Sequence, residues 1–201
     1  MIAAQATPEA AERPLPPVIA FSGLSKTFGT NRVLTNVDFD VRGGEVHCLL
    51  GHNGSGKSTL IKILGGIHSP DEGSRLALNG VAQALPMSPR QILSAGIRFV
   101  HQSLGLIPSL SVAEHLAQDR LEGAPGWHLS PRAAIAAARE ALATFDVRVD
   151  PAALIEELSA VDRALVAIVR AVASLERRPD GIAGTLLILD EPTAFLPRAE
   201  V

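Results

Sequence analysis

The octapeptide GHNGSGKS at Gly51 to Ser58 constrains this chain more than any other stretch. It follows a short apolar run, Val46 to Leu50, and precedes Leu60, Ile61, Ile63 and Leu64, spaced as on one side of a helix. A strand, the spacing GxxxxGK[ST] and a helix together make a phosphate-binding loop. Glycines at 51, 54 and 56 let the backbone curl so that successive N–H groups point inward, and the helix N-terminus behind them adds the positive end of its dipole. Lys57 can then reach the β- and γ-phosphates as a point charge, and the Ser58 hydroxyl can ligate Mg²⁺. A glycine-rich turn with an accidental Lys-Ser would not also match every fixed position and both flanking elements.

The rest of the chain supplies the frame for that loop. From Val18 the runs VIAFSGLSKTF, VLTNVDFDV and EVHCLL read as strands, with Gly43-Gly44 between the last two. Val37, Phe39 and Val41 alternate with Asp38 and Asp40, as in a half-buried strand, whereas Val46 to Leu50 predicts a strand buried on both faces. RLALNG and IRFV predict two more strands. Between about Leu110 and Val172 the period turns helical. Ser111 and Glu114 have capping-box spacing, Ser130-Pro131 opens a second helix, and Ile135, Ala138, Leu142 and Phe145 share its face. Val161, Leu165, Ile168 and Val172 repeat the device on a third. TLLILD then returns to a buried strand. This order predicts an α/β fold over 18–201 with an antiparallel β region and a helical subdomain inserted over about 108–175. Residues 1–17, with four prolines and no apolar block, predict a disordered arm rather than a secretory signal.

A second chemical signal is LLILDE at Leu186 to Glu191. An apolar strand ending in Asp190 places a carboxylate where it can hold the Mg²⁺ of a loop-bound nucleotide, and Glu191 is placed to orient or deprotonate a water. Composition narrows the classes. The longest apolar runs have six residues, such as Ala133 to Ala138, far short of a bilayer span. A net charge of −3 and a pI near 6.1 weigh against nucleic acid as a partner. A single cysteine, Cys48, fits a reducing cytosol, and the six histidines lack zinc spacing.

With these motifs in place, the chain resembles the ATP-binding subunits of ABC transporters from about Phe21 onward. GHNGSGKSTL looks like Walker A, LLILDEPTA like Walker B with its following glutamate, FVHQSLGLIPSLSVAEHL like the Q-loop segment, and LSKTFG like the A-loop region. The resemblance implies a P-loop NTPase of the ABC-cassette fold, an ATPase using ATP and Mg²⁺. It implies nucleotide contacts from Phe28, Gly51, Asn53, Gly54, Ser55, Gly56, Lys57, Ser58 and Thr59, metal contacts from Ser58, Gln102 and Asp190, and hydrolytic roles for Glu191, Gln102 and Lys57. The wording EVHCLLGHNGSGKSTLIKILGGIHSPDEG and HQSLGLIPSLSVAEHL is most similar to the first half of the double-cassette ATPases of monosaccharide importers. Implied partners are a second cassette, integral-membrane permease subunits and, indirectly, a periplasmic or extracellular sugar-binding protein. The implied place is the cytoplasm, on the inner face of the cell membrane.

The departures from the family pattern are specific. The signature LSGGQ reads Leu158, Ser159, Ala160, Val161, Asp162 here, adding a branched side chain and a negative charge where phosphate would approach, so this signature is expected to be weak or dead. The stretch from Ser159 to Asp190 is longer than usual, and ERRPDGIAG at 176–184 looks like a surface-loop excess. His52 stands in a loop position that points away from phosphates. His101 is expected to be a loop side chain rather than a base. No switch histidine follows Glu191, so the C-terminal part of the core is expected to be missing and the isolated chain inactive. Two alternatives stay open: a truncated module that binds ATP without turnover, and a soluble non-transport ABC protein. A GTPase is disfavoured by the lack of N-K-x-D after the loop.

Overall fold

Alternation along the first two predicted strands dictates a sheet with one apolar face. The computed structural model describes residues 16–101, 103–121, 130–179 and 181–190. They form two compact units divided between Met87 and Ser88. In the first, β1 (Ile19–Phe28), β2 (Asn31–Val41), β3 (Arg75–Leu78) and β4 (Val81–Gln83) make an antiparallel sheet of order β2-β1-β3-β4. Ile19 lies opposite Val41 on one side and Leu78 on the other, and Phe21 opposite Phe39 and Leu76. Gly23, at φ 64, lies within a register shift between Phe21 and Leu24 that left-handed backbone accommodates without strain. Asp38 and Asp40 are exposed and Val41 is buried, as the alternation predicts. Ile19, Phe21, Leu24, Leu34, Leu76 and Leu78 are buried from the sheet, and Leu60, Ile63 and Leu64 from α1 (Lys57–Leu64), which touches β2. Each such side chain contributes roughly 1.5–3 kcal/mol by leaving water.

Two short elements escape sequence reading. β4 is three residues long with Val81 exposed, so it carries no periodicity. Only the Asn79-Gly80 pair, at φ 49 and 78, marks the turn that creates it. The second is α2 (Pro89–Ser94), six residues opened by a capping box between Ser88 and Gln91.

One expectation fails outright. Residues 45–50 pair with no strand among the described residues, and Val46 and Leu50 are 92% and 86% exposed rather than buried on both faces. An apolar run becomes a strand only where a neighbour takes up its N–H and C=O groups, and no described segment does so here.

In the second unit β5 (Ile97–Val100) and β6 (Leu186–Leu189) pair in parallel, Ile97 against Leu186 through Val100 against Leu189. β6 is half-buried rather than buried, with Leu189 exposed. Helices α3 (Val112–Leu121), α4 (Pro131–Thr144) and α5 (Ala160–Glu176) enclose a core of Val112, Leu116, Ala138, Leu142, Val166 and Val169. The face expected on α4 shifts slightly, since Ala134, Ala138 and Leu142 are buried while Phe145 caps the helix and is exposed. On α5 the expected stripe is wrong. Val161, Ile168 and Val172 are half-buried and Leu165 is exposed, whereas Val166, Val169 and Ala173 are buried. The cause is two-sided packing, because Val166 and Val169 join the helical core while Ala167 and Ala171 pack with Val100 of β5.

Most of the described residues of 176–184 are exposed, as expected of a surface loop, and Arg178 anchors the stretch. Arg178 donates from Nη1 to the carbonyls of Leu93 and Ser94 at 3.1 and 2.7 Å, closing the C-terminus of α2. Gly96, at φ 75, lies so near that a Cβ there would stand 2.8 Å from Thr185 Cγ2.

Candidate functional site

The loop of residues 51–56 and the first turn of α1 form the chemical centre of the first unit. Gly54 and Gly56 sit at φ 85 and 94, backbone that other residues rarely adopt. At Gly56 the need is also spatial. A Cβ would stand 2.6 Å from Leu34 Cδ2 and 3.2 Å from Val33 O, so the loop packs directly on β2. Gly56 is also the N-cap of α1 and has no side chain with which to accept from the first-turn N–H groups. Every other α-helix among the described residues is closed by a serine hydroxyl: Ser88 on α2, Ser111 on α3, Ser130 on α4 and Ser159 on α5. α1 has no acidic residue in its first turn either, so its positive end is left for an external anion.

Lys57 Nζ donates to the carbonyls of Gly51 and His52 at 2.6 and 3.0 Å, with Ser55 Oγ at 3.5 Å. These neutral acceptors hold the ammonium across the loop. His52 is exposed and its Nδ1 lies 2.9 Å from Asn53 O, a local contact.

At the tip of the β1–β2 hairpin Phe28 is 41% exposed. Its ring meets His68 edge-on at 5.1 Å and 76°, and Lys26 Nζ stands 4.9 Å from its centroid. Asp71 accepts from the N–H and hydroxyl of Thr27 at 3.1 and 2.8 Å. The Thr27 hydroxyl, more than Lys26 and Arg32 nearby, holds the Asp71 carboxyl below its usual range. Sequence reading finds Phe28 but misses His68 and Asp71, which no local pattern connects to it.

In the second unit Asp190 follows β6 and its N–H donates to Val100 O at 2.9 Å. His101 is an exposed side chain, stacked on Phe99 at 5.4 Å, with Nδ1 4.0 Å from the Asp190 carboxylate, too far for a hydrogen bond. Asp190 is a partly exposed carboxylate at a strand end of the second unit and the Ser58 hydroxyl is an exposed oxygen of the first, each by itself the kind of donor a hard cation such as Mg²⁺ takes. Gln102 and Glu191 lie outside the described residues, as does almost all of the expected arm. Ser159 caps α5, accepting from Asp162 N–H at 3.0 Å while its hydroxyl donates to Asp162 Oδ2 at 2.7 Å. The signature serine and the helix end are thus engaged by the chain's own carboxylate. No described helix is long and apolar enough to cross a membrane.

A phosphate-binding loop ahead of α1, an antiparallel sheet and a helical group define a nucleotide-binding cassette of the P-loop class. Solved structures share this fold. A nucleotide-free ATP-binding cassette from an ABC transporter superposes with a TM-score of 0.66 at 22% identity, covering 90% of this chain and 83% of that one. A dimeric post-hydrolysis cassette bound to ADP and Pi gives 0.65 at 21% identity, covering 86% and 88%. The sequence model of the ABC transporter family matches residues 34–194, and the chain belongs to that family. Among its relatives are the arabinose import ATP-binding protein AraG 1 of Burkholderia thailandensis, 40% identical over 182 residues, and the ribose import ATP-binding protein RbsA of Ruegeria sp., 39% identical over 183. These alignments cover 90% and 91% of this chain but 34% of each relative, so the chain spans about a third of their length.

Proposed function

We propose that this chain is the ATP-binding cassette of an ABC-type sugar importer, binding MgATP at Gly51–Thr59 and coupling its binding and hydrolysis to import through a membrane permease. The observation that carries the reading is the open N-terminus of α1, unlike every other described α-helix, behind a loop whose lysine already spans it. In this reading the backbone of Gly51, Asn53, Gly54, Ser55, Gly56, Lys57, Ser58 and Thr59 receives the phosphates. Lys57 exchanges carbonyl partners for phosphate oxygens, a stronger charge-assisted contact. Phe28 stacks on adenine. Ser58, Asp190 and Gln102 hold Mg²⁺, which when bound neutralises phosphate charge, while Gln102 and Glu191 orient the attacking water.

The sugar class comes from the arabinose and ribose import relatives, and with it the partners: a second cassette, permease subunits and a sugar-binding protein outside the membrane. The corresponding place is the inner face of the cell membrane. The domain reading is a cassette over 18–201 with a helical subdomain over about 108–175. A second reading, nucleotide binding without turnover, is favoured by the bond between Ser159 and Asp162, which leaves this signature without a free serine hydroxyl for a facing nucleotide.

Lys57→Ala tests the core of the proposal. Equilibrium binding of labelled ATP in the presence of Mg²⁺ should weaken about tenfold to a hundredfold, the loss of a charge-assisted contact. Equal affinity in parent and variant would overturn it.

A further inference from the structure

The two ends of the proposed nucleotide site belong to one continuous piece of the first unit. α1 carries Lys57 and Ser58 at its start, and just beyond its end the N–H groups of Ile67 and His68 both bond Lys62 O, at 2.8 and 3.2 Å. The turn is thereby fixed to the helix, and its His68 ring meets Phe28. Three residues later Asp71 makes three bonds to the end of β1. Its N–H donates to Ser25 O at 2.9 Å, Oδ1 accepts from Thr27 N–H at 3.1 Å, and Oδ2 accepts from the Thr27 hydroxyl at 2.8 Å. Ser74 continues the seam, accepting from Ser25 N–H at 3.1 Å. β3 pairs with β1 only from Ile19 to Ser22, so beyond that point these side chains replace a strand along its edge.

Phe28 itself needs such support. It stands at a hairpin tip next to Gly29, at φ 58, and its ring is half in solvent. A stacking platform that samples many positions must be ordered when the base arrives, and that ordering weakens binding. We propose that Asp71, acting through Thr27, is a positioning residue for the nucleotide base: it locks the end of β1 to the segment after α1, and so fixes the span between the Phe28 ring and the phosphate loop. This rests on the reading of Phe28 as the base platform, and predicts an effect confined to ligands that carry a base.

The test is equilibrium binding of ATP and of inorganic tripolyphosphate, each with Mg²⁺, to the 201-residue chain and to its Asp71→Ala, Asp71→Asn, Thr27→Val and Phe28→Ala variants. Asp71→Ala should weaken ATP about tenfold and leave tripolyphosphate within about twofold, the scale of one hydrogen bond to a charged group. Thr27→Val, which removes only the hydroxyl bond, should weaken ATP about threefold and tripolyphosphate not at all. Asp71→Asn, whose amide can still bond both Thr27 groups, should bind both ligands as the parent does. The proposal is overturned if Asp71→Ala and Thr27→Val leave ATP affinity unchanged, or weaken both ligands equally. If Phe28→Ala itself leaves ATP affinity unchanged, the base-platform reading fails instead, and the two failures are distinguishable.

Discussion

Gly56 carries two constraints at once, and only one of them is written in the sequence. The GxxxxGK[ST] spacing identifies the glycine as part of a phosphate loop, and its φ of 94 agrees with a position that left-handed backbone requires. Nothing in the spacing reveals that Leu34, a buried residue of β2, lies against it. Gly56→Ala should therefore destabilise the chain by about 1–3 kcal/mol from the backbone term alone, with the Leu34 clash added. Adding Leu34→Ala should remove the Leu34 contact at its own cavity cost of about 2–5 kcal/mol, and should leave the approach to Val33 O, the strain and the loss of ATP binding in place. Urea denaturation read beside ATP affinity separates the two effects. The same motif singles out Lys57 and Ser58, whereas no motif singles out His68 and Asp71, whose connection to Phe28 and Thr27 is made by folding and not by local spacing. By sequence alone Asp162 is a charge that repels phosphate. The structure gives it a nearer partner in the Ser159 hydroxyl.

The caps of α3 and α4 are legible, because a cap is a local chemical event, although the equally local Ser88–Gln91 box of α2 escapes the reading on a helix of only six residues. The Ser111–Glu114 spacing predicts a capping box, and Glu114 Oε2 accepts from both the N–H and the hydroxyl of Ser111 at 2.7 Å. Those bonds, the hydroxyl's first, hold the Glu114 carboxyl below its ordinary 4.5. A carboxyl lowered on folding stabilises the protein above its unfolded value and ceases to do so as pH falls through the folded one. The parent should thus exceed Glu114→Gln by a few tenths of a kcal/mol at pH 7, since the group is exposed, and the gap should close below about pH 4.5. Ser111→Ala should cost about 1 kcal/mol at neutral pH. Paired urea melts at the two pH values check both. Elements set by long-range partners were less legible. The expected α5 stripe fails because an apolar helix packed on two sides offers several faces of equal merit. The apolar character of Val46–Leu50 predicts a strand, yet strand formation depends on neighbours that an apolar run does not specify.

For the whole molecule, family and fold class followed from a few motifs in order along the chain, and the comparisons agree with both. Catalytic competence is a different matter, since it depends on groups that must meet at one phosphate. A homodimer of this chain would oppose each nucleotide to a signature whose Ser159 is already bonded to Asp162. Steady-state ATP turnover by the 201-residue chain is therefore expected at background, unchanged by Glu191→Gln. A rate that the substitution abolishes would contradict this.

The central claim, that MgATP binds the first unit with its phosphates at Lys57 and its base at Phe28, is tested most directly by photolabelling with 8-azido-ATP and mapping the labelled tryptic peptides. Label is expected on Thr27–Arg32 or Ile63–Arg75, which carry Phe28 and His68, and it should vanish with Lys57→Ala or excess tripolyphosphate. Label confined to peptides after Ser88, or label that persists in Lys57→Ala, would contradict the account.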